Sequence, residues 1–115
     1  PLPNNPTADV IERYAPLIRT IRAARPKTPI VLVENVVSQN AHVFLDKRNG
    51  TREKNLASWN IFGQLKSEGF DHLHYVTGGQ LLGDDDEATV DGIHPTDVGF
   101  LRIAHVLKPV LERLI

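Results

Sequence analysis

Four consecutive apolar residues, Ile30-Val31-Leu32-Val33, lie between Pro29 and Glu34 and constrain the fold more than any other feature. The run is short, rich in β-branched side chains and does not alternate. It therefore suits a strand covered on both faces, as in a parallel sheet packed between helices. Leu73-His74-Tyr75-Val76 reads as a second short strand, and a helical pattern over 49–68 separates the two. Helical patterns also occupy 8–24 and the residues after Thr96, so the order is helix, strand, helix, strand, helix. That alternation predicts the α/β class with a parallel sheet. Two strands do not make a stable parallel sheet alone, which implies that further strands complete it.

The first helix is predicted from Val10, Tyr14, Leu17 and Ile21, with Thr7 as its N-cap and Asp9 in the first turn. Pro16 lies inside it and removes one backbone hydrogen bond, so a kink or a division is expected there. In the second helix Leu56, Trp59, Phe62 and Leu65 are read as a core-facing set, with Gly69 at the position after the C-cap. Glu34 to Lys47 is read as a polar stretch, and Thr77-Gly78-Gly79 as a turn. Thr96 is placed as the cap of the last helix, whose apolar stripe is Leu101, Ala104, Val106, Leu107, Val110, Leu111 and Leu114.

Composition removes several function classes. The 115 residues carry 13 Lys and Arg against 14 Asp and Glu, a net charge of -1 that offers no basic field to nucleic acid. No apolar run approaches the roughly 20 residues that span a bilayer. With no cysteine, disulfides, thiolate catalysis and Cys-ligated metals drop out. There is no methionine either, and the chain opens Pro-Leu-Pro-Asn-Asn-Pro. These residues are therefore expected to be part of a longer polypeptide, the alternative being a small protein processed at its start.

The most chemically suggestive segment is Asp91-Gly92-Ile93-His94-Pro95-Thr96. Pro95 keeps His94 out of helical geometry, and Thr96 closes the helix end. An Asp three residues before the imidazole can accept its Nδ1–H, fix the tautomer and stabilise the imidazolium. Nε2 is then left to take a proton from a nucleophile. The same spacing also suits a histidine on a helix-start turn with Asp91 as a local acceptor.

Asp91-Gly92-Ile93-His94-Pro95-Thr96-Asp97-Val98-Gly99-Phe100 closely resembles the last motif block, D-x-x-H-P, of the SGNH hydrolases, also called GDSL-type esterases. Tyr75 to Asp85 resembles the approach to that block in the acetylhydrolase-like branch. Leu17-Ile18-Arg19-Thr20-Ile21-Arg22, Ala24-Arg25-Pro26 and the strand after them resemble the same branch's helix and strand. The resemblance covers nearly the whole chain. It implies a three-layer α/β/α sandwich with a parallel sheet, flavodoxin-like, of which 1–115 forms the C-terminal half of a single domain.

By that resemblance His94 is the base, Asp91 orients it, and the reaction is ester hydrolysis through an acyl-serine, with an acetyl or other short acyl group. The family's nucleophile sits in a Gly-Asp-Ser motif. Ser38, Ser58 and Ser67 do not match it, and no residue matches the second-block glycine. The missing N-terminal half is therefore the implied partner, and the chain alone is expected to be inactive. The third block's oxyanion asparagine is carried to Asn4, with Asn5 as rival; turn chemistry beside proline is the alternative. No metal or organic cofactor is implied, and the substrate is a small-molecule, carbohydrate or lipid acyl ester. A periplasmic or secreted location is expected ahead of a cytoplasmic one. Two rival functions are a binding relative without the nucleophile and a flavodoxin-like signalling or cofactor domain. Against the latter, no phosphate-cradling glycine loop is present.

The remaining candidates are weaker. His72 and His74 have a spacing seen in metal sites but lack a third ligand nearby. His42 lies where a substrate could pass, and His105 is read as structural. Asp84-Asp85-Asp86-Glu87 lacks the spacing of a calcium loop and reads as a solvated acidic segment.

Overall fold

The computed structural model describes residues 5–115. Its elements are α1 (Thr7–Ala24), β1 (Ile30–Val33), α2 (Leu45–Ser67), β2 (Leu73–Val76) and α3 (Asp97–Glu112), with a 3-10 turn over Gly78–Gln80. The strands pair in parallel, Ile30 opposite Leu73 and Val33 opposite Val76. The chain forms two compact units. One comprises the residues up to Asn35 with Arg52–Val76; the other comprises Val36–Thr51 with Thr77–Ile115.

In the first unit Ile30 and Leu32 of β1 and Leu73 and Tyr75 of β2 project to one face, because alternate strand residues share a side. There they meet Val10, Tyr14 and Ile18 of α1 and Ala57, Ile61 and Leu65 of α2. The ladder continues beyond the strands: Ile30 N–H donates to His72 O at 2.9 Å and Glu34 N–H to Val76 O at 3.0 Å. α1 runs through Pro16 undivided. A proline costs a helix about 3 kcal/mol, whereas each buried aliphatic side chain returns roughly 1.5–3 kcal/mol. Buried Val10, Tyr14 and Ile18 flank the proline, so packing outweighs the lost bond.

Thr7 lies inside α1 rather than capping it; Pro6 takes the cap position, and its carbonyl accepts from Asp9 and Val10 N–H at 3.0 and 3.3 Å. α2 begins at Leu45, earlier than its apolar pattern suggests, with Asp46 in the first turn favouring the positive helix end. Leu56 and Trp59 are 56% and 50% exposed, not core. A spacing of three falls about 60° short of a full turn each time, so Leu56 and Leu65 end on opposite sides of the helix. The buried row follows Ala57, Ile61 and Leu65 at spacings of four. Leu56 instead lines an apolar groove of about 490 Å³ with Ile11, Ala57 and Ile61. Trp59 stands edge-on to Tyr75, ring centres 4.9 Å apart.

α2 ends as its sequence suggests. Gly69 adopts φ +87°, and Phe70 N–H and Gly69 N–H donate to Leu65 O and Lys66 O, each at 3.0 Å. That is the paired Schellman closure a left-handed glycine permits. At the same end of the sheet, where the strands begin, Arg22 gathers carbonyls. Its guanidinium donates to Pro26 O at 2.9 Å, Thr28 O at 2.8 Å and Asp71 O at 2.9 Å, joining the loops that lead into β1 and β2.

The second unit has a different interior. Its buried apolar residues are Ala41, Leu81, Leu82 and Ala88, with Ser38 buried among the polar ones. α3 buries only Gly99 fully. Of its expected stripe, Val106, Leu107, Val110 and Leu114 are half-buried, while Leu101, Ala104 and Leu111 are exposed. A Cβ on Gly99 would run into the Ala88 carbonyl and the Pro95 ring, so only glycine allows this approach.

Candidate active site

The segment from Ala88 to Thr96 folds back on itself in the second unit. Thr89 and Pro95 form an antiparallel bridge. Val90 N–H donates to His94 O and Thr96 N–H to Ala88 O, both at 2.9 Å. Thr96 then caps α3 by accepting Gly99 N–H at 3.3 Å. His94 is thereby presented where an irregular loop becomes a helix.

Within that loop Asp91 is saturated with donors. Its Oδ1 accepts Ile93 N–H at 3.0 Å and His94 N–H at 2.9 Å. Its Oδ2 lies 2.6 Å from His94 Nδ1. One carboxylate oxygen thus closes the turn while the other holds the ring. The donated His94 backbone N–H, followed by the ring and Ile93 N–H, holds the Asp91 carboxyl well below the usual carboxylate range. Asp91 remains ionised, accepts the Nδ1 proton and leaves proton uptake to Nε2. The pair is open to solvent, the His94 and Asp91 side chains being 78% and 53% exposed.

The chain belongs to the GDSL-like lipase/acylhydrolase family. The family's sequence profile matches residues 1–112. The chain is similar to a protein designated a GDSL-like lipase from Bacteroides ovatus ATCC 8483, with a TM-score of 0.91 and 27% identity over 98% of this chain and 34% of that one. It shares the fold of the salicylyl-acyltransferase of a tetracycline biosynthetic pathway, with a TM-score of 0.72 and 20% identity over 94% of this chain and 33% of that one. It spans about a third of the length of both. No curated protein matches it.

This GDSL-family chain distributes its other candidates unevenly. Asn4 lies outside the described residues; Asn5 is half-buried just before α1 in the first unit. His72 does not share a strand face with His74: it precedes β2 with φ +53°, in the left-handed region. Among the described residues no three of His, Asp and Glu group as a metal site. Ser58 is buried in α2 and donates to Lys54 O at 3.0 Å; Ser67 is exposed and donates to Gln64 O at 2.7 Å. His42 Nδ1 is 3.0 Å from Gln39 O, and the ring lines a cleft of about 300 Å³ with Gln39, Asn40, Asp86, Thr89 and Asp91.

The acidic segment over 84–87 is an exposed loop, as expected, and one of its carboxylates is engaged. Arg102 of α3 forks onto both oxygens of Asp85, at 2.5 and 2.6 Å, and donates to Leu82 O at 2.8 Å. That guanidinium holds the Asp85 carboxyl well below its usual range. Sequence reasoning also missed Ser38, Gln39 and Asn40, which the fold brings against Thr89, Asp91 and Gly92. The available signal was three consecutive hydrogen-bonding side chains soon after a buried strand.

Proposed function

We propose that this chain supplies the Asp–His part of a serine ester hydrolase, as the C-terminal portion of a longer SGNH-type domain. The observation that carries the reading is the 2.6 Å contact between Asp91 Oδ2 and His94 Nδ1 on a solvent-open turn.

In this reading a serine outside the chain is the nucleophile. Its Oγ attacks the ester carbonyl while His94 Nε2 accepts the hydroxyl proton, and Asp91 stabilises the imidazolium that forms. The Asn4 amide donates to the oxyanion, a group present only after attack. Collapse breaks the bond to the alkoxide, which takes the proton from His94. A water deprotonated by the same nitrogen then attacks the acyl-serine, the acyl–Oγ bond breaks, the proton passes from His94 to the serine oxygen and the acid leaves. Short acyl esters, acetyl first, are the proposed substrates.

The test begins with this chain alone and nitrophenyl acetate. No turnover is expected, and turnover should appear when the segment with the nucleophile is joined to it. Turnover by the chain alone, lost on treatment with a serine-directed phosphonate, would place the nucleophile among Ser38, Ser58 and Ser67 and overturn the divided reading.

A further inference from the structure

We infer that Ser38, Gln39 and Asn40 are positioning residues that hold the Asp91–His94 turn in register and set the tautomer of His94. The inference rests on the proposed function for its kinetic consequence, but its structural part stands on the fold of the second unit alone.

The pair is too exposed to be fixed by packing. Hydrogen bonds from 38–40, a segment some fifty positions away in sequence, supply the constraint instead. Gln39 N–H donates to Gly92 O at 2.8 Å, and Ser38 Oγ lies 3.0 Å from the same oxygen. Asn40 Nδ2 donates to Asp91 O at 3.1 Å. Thr89 Oγ1 donates to Gln39 Oε1 at 2.8 Å and accepts Gly92 N–H at 3.0 Å. Both carbonyls that follow the Asp91 side chain are therefore held from the same segment. With those peptide planes held and Oδ1 taken by the Ile93 and His94 N–H groups, Oδ2 faces His94 Nδ1.

Proton counting orders this network. The Ser38 hydroxyl has one proton and two acceptors in reach, Gly92 O and Asn40 Oδ1. Gly92 O also receives Gln39 N–H but keeps a second lone pair, so either oxygen can take the Ser38 proton, and Asn40 Oδ1 is the nearer at 2.5 Å against 3.0 Å. That nearer contact keeps the Asn40 amide turned with Nδ2 toward Asp91. Ser38 is 5% exposed, so water does not compete freely for its hydroxyl. Gly92 completes the fit: at φ +91° a Cβ would enter the Asn40 amide, and glycine alone lets the two segments meet.

The consequence is chemical. A free neutral imidazole in water favours the Nε2–H tautomer, which has no lone pair at Nε2 and cannot act as the base. Asp91 Oδ2, correctly aimed, imposes Nδ1–H. Loosening the turn lets the ring revert, and a misplacement of about 1 Å near reacting groups costs on the order of 10²-fold in rate.

Nitrogen-15 shifts of the His94 ring, recorded on this chain at a pH where the ring is neutral, read the tautomer directly. The Nδ1–H form is expected in the parent chain and a mixture with Nε2–H in Asn40→Ala. Ser38→Ala removes one hydroxyl from a buried site and should show a smaller change in the same direction. It also serves if Asn40→Ala does not fold. Ile61→Val, in the first unit, is the control for general destabilisation: it lowers the melting temperature and leaves the tautomer unchanged. In the enzyme carrying the nucleophile, Asn40→Ala should lower kcat roughly ten- to a hundredfold with little change in KM. If both variants keep the parent tautomer and kcat while His94→Ala abolishes turnover, the positioning role is wrong and the proposed function survives. If His94→Ala retains turnover, the proposed function itself is wrong.

Discussion

The two units of this chain are held together by different chemistry. The first joins α1, β1, β2 and most of α2 around large aliphatic and aromatic side chains, among them Val10, Ile18, Leu32, Ile61 and Leu65. The second carries the Asp–His turn and buries little beyond Ala41, Leu81, Leu82 and Ala88. Its irregular backbone is held by named hydrogen bonds: Gln39 to Gly92, Asn40 to Asp91, Arg102 to Asp85. Apolar burial is non-directional and fixes which faces meet. Hydrogen bonds are directional and can hold an exposed group at a chosen angle. An imidazole as open to solvent as that of His94 is not fixed by burial, so directional bonds are the means left to hold it.

Kinetics test this division most severely. In the enzyme carrying the nucleophile, His94→Ala should reduce turnover by several orders of magnitude, because triad members act as a unit. Asp91→Asn should cost less, since the ring can stay near its place while losing its tautomer and counter-charge. Asn4→Ala should lower kcat by roughly 10²–10³ with KM little changed. His74→Ala, in the first unit, should leave turnover alone. An inactive His74→Ala beside an active His94→Ala would reverse the roles of the two regions.

Stability should show the opposite pattern. Leu65 is fully buried in the first unit. Leu65→Ala should lower the free energy of unfolding by about 2–5 kcal/mol, as cavity-forming core truncations do. Leu56→Ala, one residue from the buried row, should change it by less than about 0.5 kcal/mol. Equal losses by chemical denaturation would mean that the exposed side of α2 is packed after all.

Acid should act on the second unit through Asp85 and Asp91, whose carboxyls are held below the usual range by Arg102 and by the His94 backbone N–H, respectively. A folded-state pKa below the unfolded value stabilises the fold above the unfolded value, near 3.9, and that contribution fades as pH falls toward the folded value. Melting temperatures should therefore change little through these groups between about pH 7 and 5 and fall below about pH 4. Asp85→Asn should lower the plateau and soften the fall. An unchanged acid profile in that variant would show that Arg102 gains nothing from its partner.

Much of the first unit was legible because its signals are local. Ile30–Val33 and Leu73–Val76 match the observed strands to the residue, since short apolar runs between loop residues have few other uses. Gly69 and Thr96 act where their chemistry placed them, at a helix end and a helix start. The core face of α2 was misread because a spacing of three and a spacing of four look alike in a sequence but diverge on a helix. The first turn of α2, at Leu45, carries no apolar periodicity to reveal it.

The candidate site divides along the same line. Asp91 and His94 are three residues apart, so chain connectivity keeps them near one another, and Pro95 biases His94 toward extended backbone. What the sequence did not determine was how that turn is braced. Asn40 and Asp91 are 51 positions apart, Gln39 and Thr89 are 50 apart, and Arg102 finds Asp85 across 17. No periodicity or motif links such residues. A hydrogen bond acts only within about 3 Å and along a narrow range of angles. Until the chain has folded, nothing marks those partners among the many polar side chains it carries. The local geometry of the Asp–His turn was thus written in a few adjacent residues, and its bracing arose only when tertiary packing brought distant segments within hydrogen-bond reach.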